Sequence, residues 1–118
     1  MSESYFSQYH ALRKENNPVV ITGTRQSGKT SFVIELMKED RDAMLVVKDP
    51  YCKKLIADRG VESSRIMTVF DLTKRNPMID LQQFTKVVVD NASMIGGEAY
   101  EDFCHRSLSE MRELVLVG

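Results

Sequence analysis

Apolar residues follow two rhythms along this chain. The first is the short unbroken run: Val19-Val20-Ile21, Ala43 to Val47, and Val87-Val88-Val89. Runs this short and β-branched suit strands buried on both faces of a parallel sheet. The second rhythm repeats every three or four residues. Tyr5, Phe6, Tyr9 and Leu12 share one helical face, as do Phe32, Val33, Leu36 and Met37, and again Tyr100, Phe103, Cys104 and Met111. That spacing predicts helices over 4–15, 29–39 and 97–111. Asn16, Asn17 and Pro18 stop the first. Glu39, Asp40 and Asp42 oppose the dipole of the second and predict its end.

Between these lie a helix at Tyr51–Arg59 closed by Gly60, and strands at Arg65–Val69, Lys86–Asp90 and Leu114–Val117. Residues 71–84 carry the weakest pattern. Asn76-Pro77 breaks them, and Ile79, Leu81 and Phe84 anchor the stretch after the break. Strands alternating with helices predict an α/β fold, a five-stranded parallel sheet with helices on both faces. Its 118 residues suffice for one domain, spanning 1–118.

Composition narrows the setting. Hydrophobic residues make up 42% and charged residues 28%, with a net charge of -1. That balance describes a soluble globular chain and offers no overall basic field for nucleic acid. No apolar run approaches the roughly 20 residues of a membrane span. The opening MSESYFSQYH lacks the basic and apolar regions of a secretory signal. Cys52 and Cys104 have no metal-ligand spacing, which points to a reduced, cytoplasmic location.

The densest chemical signal is Gly23-Thr24-Arg25-Gln26-Ser27-Gly28-Lys29-Thr30. It satisfies G-x-x-x-x-G-K-[ST] in full, between a predicted buried strand and a predicted helix, the context a P-loop requires. Glycines let the backbone wrap an anion with its N–H groups turned inward. The helix start adds unpaired N–H groups and a positive dipole end. Lys29 brings a full charge to the β and γ phosphates, and the Thr30 hydroxyl is a magnesium ligand. The expected ligand is ATP or GTP with Mg2+. Arg25 is either a solvated loop charge, a phosphate contact or a finger reaching a neighbouring subunit.

A second carboxylate lies downstream. Val87-Val88-Val89-Asp90 fits the strand that ends in a magnesium-associated aspartate, which puts Asp90 at the carboxyl edge of the sheet. Many ATP-hydrolysing P-loop enzymes place Glu next, to activate water. Here the residue is Asn91. An amide orients a water but takes no proton from it at neutral pH. Glu98 and Glu101 are the nearby substitutes. His10 and His105 are isolated, and Lys53-Lys54 and Lys74-Arg75 read as solvated basic pairs.

The segment VVVDNASMI resembles the DEAS-M or DEISM segment of superfamily 1 helicases, with Asn91 in place of the Glu. ELVLVG resembles the strand entering their motif III, AMLVVKDPYCKKL their motif Ia strand and helix, and IMTVFDL the motif after it. The resemblance covers nearly the whole chain in order. It implies a RecA-like domain in which Leu114–Val117 lies between the P-loop strand and the Asp90 strand. It further implies that Gln8 reads the adenine, that Thr68 lies near a nucleic-acid backbone, and that single-stranded nucleic acid is a partner. In that family a second RecA-like domain supplies arginines to the γ-phosphate. Here the expectation is a weak NTPase completed by a protein partner or by copies of itself, in the cytoplasm, or in a host cell or virion if the source is viral. Two alternatives stand beside it: a non-enzymatic nucleotide-dependent switch or scaffold, and a subunit of a packaging-type ring ATPase.

Overall fold

The computed structural model describes residues 2–15, 17–21, 28–73, 84–110 and 112–118. Along them run α1 (Ser2–Leu12), β1 (Val19–Ile21), α2 (Lys29–Glu39), β2 (Ala43–Val47), α3 (Pro50–Ala57), β3 (Ile66–Thr68), α4 (Val69–Thr73), β4 (Lys86–Asp90), α5 (Glu98–Ser109) and β5 (Glu113–Val117). Short 3-10 turns occupy Ser63–Arg65 and Ala92–Met94.

The strands form one all-parallel sheet in the order β1-β5-β4-β2-β3. Register aligns Val19 with Val115, Val88 with Val115, Leu45 with Val88 and Leu45 with Ile66. β5 lies between β1 and β4, as the resemblance implied. The unbroken apolar runs now have their cause. Every residue of β2 and β4 is buried. Both strands are internal, and helices cover both faces of the sheet. Tyr5 and Tyr9 of α1, Phe32, Val33 and Leu36 of α2 and Ile56 of α3 pack with Val88, Leu45 and Val115 on one face. Leu72 of α4 and Tyr100 and Phe103 of α5 pack with Met44, Val46, Val87 and Val89 on the other. β1 is an edge strand, and its Val20 is 49% exposed on the second face while Val19 and Ile21 are buried.

Two of the boundaries that differ from the sequence expectation do so because of a cap. β3 ends at Thr68 and Val69 opens α4. The Thr68 hydroxyl accepts the Asp71 N–H at 3.2 Å while the Asp71 carboxylate accepts the Thr68 N–H at 2.9 Å. This reciprocal capping box starts a helix where Val69 and Phe70 alone favour a strand. α3 starts at Pro50, because the Asp49 side chain accepts from the Cys52 N–H at 2.8 Å and Pro suits the first helical turn. Asn76-Pro77, Ile79, Leu81, Lys74-Arg75 and Met111 lie outside the described residues.

α2 stops at Glu39, where the acidic residues predicted its end. A buried arginine from elsewhere completes that terminus. Arg65 donates to the carbonyls of Met37 (2.9 Å), Asp40 (3.0 Å) and Ala43 (3.1 Å), and to the Glu62 carboxylate at 2.7 Å. It satisfies late carbonyls of the helix and sets a cation against the negative dipole end. A second polar cluster closes the amino edge of the sheet. Buried Lys86 donates to Asp40 at 2.9 Å, and the Tyr9 hydroxyl donates to Glu113 at 2.9 Å. Burial alone would raise the Asp40 carboxyl, but the Lys86 hydrogen bond and charge outweigh it and hold Asp40 below its usual range.

Candidate functional site

Parallel strands end at a common edge, so the ends of β1, β5 and β4 face the same side as the start of α2. At that start Gly28 adopts φ 87°, ψ 19°. In this left-handed region a Cβ crowds the following carbonyl oxygen, which favours glycine. Among the described residues α2 has neither a side-chain N-cap nor an acidic residue in its first turn. The next three helices differ: Asp49 caps α3, Thr68 and Asp71 cap α4, and α5 carries Glu98 and Glu101 in its first turn. α2 therefore presents its orphan N–H groups and positive dipole end without a carboxylate of its own.

Two side chains of the first turn complete this end. Lys29 Nζ reaches across to the Gly118 backbone oxygen at 2.5 Å. An ammonium has three donors, and this bond uses one of them to fix its position. Thr30 is exposed on the same turn. Gly23, Thr24, Arg25, Gln26 and Ser27 lie outside the described residues. α1 is clamped beside this turn, since the rings of Tyr5, Phe6 and Tyr9 lie 5.8, 4.8 and 6.2 Å from that of Phe32. Gln8, half-buried on α1, thus belongs to an element adjacent to the cradle.

Asp90 ends β4, opposite Val117, and is 5% exposed. Alternation along the strand turns Val88 and Asp90 to one face, the face that α2 covers. Burial pushes the Asp90 carboxyl above its usual range, against the opposing pull of the Asn91 N–H and the Lys29 charge. Among the described residues no group of three His, Cys, Asp or Glu could hold a metal. Mg2+ with a nucleotide needs none, because one or two protein oxygens join phosphate oxygens and water around it. The Thr30 hydroxyl and the Asp90 carboxylate fit that donor set.

Asn91 adopts φ 55°, ψ 44° and leads the Ala92–Met94 turn, its carbonyl accepting from the Met94 N–H at 2.8 Å. Gly118 closes the edge. Its N–H donates to the Ile21 carbonyl at 2.9 Å, and it lies next to Ser93. The site thus brings together Gly28, Lys29, Thr30, Asp90 and Asn91. Glu98 and Glu101 are exposed on α5, and His10 and His105 are exposed on separate helices. Thr68 is buried and its hydroxyl serves the α4 cap, which removes it from nucleic-acid contact. Two residues that the sequence did not single out stand at the same edge. Tyr51, after β2, is 70% exposed and Phe70, after β3, is 59% exposed. Cys52 sits in the first turn of α3, and its thiol is raised by burial, by Asp49 and by the Asp90 charge, which puts it near the site. No disulfide joins Cys52 to Cys104.

No helix among the described residues is long and apolar enough to cross a membrane. Comparison with family models, curated proteins and solved structures found no match to the chain.

Proposed function

We propose that this chain binds a nucleoside triphosphate, ATP or GTP, with Mg2+ at the carboxyl edge of β1, β5 and β4, as a RecA-like P-loop domain. One observation carries the reading. The only helix among α2 to α5 that starts without a cap or an acid comes directly after the G-x-x-x-x-G-K-[ST] segment, and a buried aspartate lies across β5 from it. Residues Gly23 to Thr30 wrap the phosphates, the α2 N–H groups and Lys29 neutralise them, and Gln8 reads the base. Thr30 and Asp90 would hold the Mg2+, which would supply charge neutralisation for phosphoryl transfer there. Asn91 orients a water without accepting its proton, so hydrolysis is weak or depends on a partner or a second copy that supplies an arginine.

Lys29→Ala tests the reading. A charge-assisted phosphate contact is worth about 1.5–3 kcal/mol, so calorimetry should show Mg–ATP affinity falling by tenfold or more. Equal affinity in the variant contradicts the assignment. The exposed Tyr51 and Phe70 favour a second element of the reading. Aromatic faces beside a nucleotide site suit stacking of single-stranded nucleic acid. Asn91 likewise favours a nucleotide-dependent switch or a ring-ATPase subunit over a self-sufficient motor. A cytoplasmic setting accords with this ligand.

A further inference from the structure

A second cation approaches the start of α2, from the α3 side. α3 ends at Ala57, and Gly60 then turns the chain with φ 106°. A Cβ at Gly60 would stand 3.2 Å from the Lys38 side-chain tip, so this turn lies against the last turn of α2. From there Arg59 runs back along the helix. Its Nη2 reaches the Ser31 hydroxyl, 28 positions away in sequence, at 3.5 Å. Ser31, Glu35 and Lys38 form one stripe of α2, at spacings of four and three residues. Arg59 makes no ion pair among the described residues. Its charge is therefore added to that of Lys29 and to the positive dipole end, on a helix with no acid in its first turn. An anion relieves such a convergence.

The direction of approach says which part of the anion Arg59 meets. Asp90 comes to this turn from the sheet, where it is 5% exposed. Arg59 is exposed and comes from the solvent side. A triphosphate whose outer phosphates share the cation of Thr30 and Asp90 has its inner phosphate on the solvent side. We propose that Arg59 is a nucleotide-binding residue that contacts the α-phosphate. The proposal rests on the nucleotide reading above and deepens it. Lys29 and Arg59 grip the phosphate chain from opposite sides of α2, and di- and triphosphates gain equally from the second grip.

The test is calorimetry with ATP and with ADP, each in MgCl2, on the parent chain, Arg59→Gln and Arg59→Lys. Arg59→Gln should lose about fivefold or more in affinity, the size of an exposed charge-assisted contact, by the same factor for both nucleotides. Arg59→Lys, which keeps the charge without the fork, should recover part of the loss. Raising KCl should shrink the loss, because salt screens an exposed charge. The Tm of the nucleotide-free protein should not change, since Arg59 is exposed and bears no ion pair. Unchanged affinity in Arg59→Gln would overturn the proposal. So would a loss confined to ATP, which would put Arg59 at the terminal phosphate. A loss independent of salt, or one that follows a lowered Tm, would also overturn it, because the work would then be packing. Failure of the parent chain to bind either nucleotide, or indifference to Lys29→Ala, would instead remove the nucleotide reading, and this proposal with it.

Discussion

Arg65 offers the clearest quantitative test of how the cradle helix is held. Arg65→Met keeps an apolar stem of similar length and removes the guanidinium. Three bonds to backbone carbonyls disappear, at Met37, Asp40 and Ala43. The Glu62 pair reaches solvent and is left out of the sum. The Asp40 carbonyl keeps a second partner in the Ala43 N–H at 3.2 Å, which softens its loss. At about 1 kcal/mol net for each bond, the variant should lose ~3 kcal/mol. Unfolding entropy of roughly 2.1 cal/mol/K per residue makes 1 kcal/mol worth about 4 °C in a chain of 118 residues. The expected drop in Tm is therefore about 12 °C, read by circular dichroism without nucleotide at neutral pH. Arg65→Lys should recover only part of it, because one ammonium cannot span three carbonyls in a fork. Mg–ATP affinity measured well below Tm should stay unchanged, since Arg65 sits at the far end of an 11-residue helix, about 16 Å from its start. A drop below about 4 °C would mean that water satisfies these carbonyls and that the buried arginine is not what ends α2.

Asp90→Asn should raise the Tm of the nucleotide-free protein while abolishing the Mg2+ dependence of ATP binding. A carboxyl raised in the folded state contributes least above its folded pKa, so the Tm advantage should open as pH climbs through the carboxylate range and vanish in acid. A variant less stable than the parent at pH 7 would contradict this. Hydrolysis by the isolated chain should run well below the typical median of about 10 per second, because Asn91 takes no proton. Phosphate release at ordinary enzyme rates would point to Glu98 or Glu101 as the base, and each would then be mutated.

What could be read in advance divides along physical lines. β2 and β4 were legible because strands buried on both faces have no polar residue to interrupt them. α2 was legible at both ends, through Gly28-Lys29-Thr30 at its start and the acidic Glu39–Asp42 cluster at its finish. Arg65 was not, because its partners lie 22 to 28 positions away and only tertiary structure joins them. The α4 start was missed for a local reason. Val69-Phe70 carries strong strand preference, and the Thr68–Asp71 pair that overrides it is visible only as a cap. Asn91 was read by its side chain, whereas its backbone angle belongs to a turn that no pattern of polarity encodes.

The place of β5 has a consequence for how the site comes into being. β1, which precedes the proposed phosphate cradle, has β5 as its only ladder partner among the described residues. Val19 must therefore wait for Val115, nearly the whole length of the chain away. Closing so long a loop is slow, and it precedes every bond the pair makes. Lys29 is held from the same strand, through Gly118. A growing or truncated chain can gather β2, β3 and β4 beforehand and still have no cradle. On the nucleotide reading proposed above, ligand present during synthesis has nothing to grip until β1 and β5 have met.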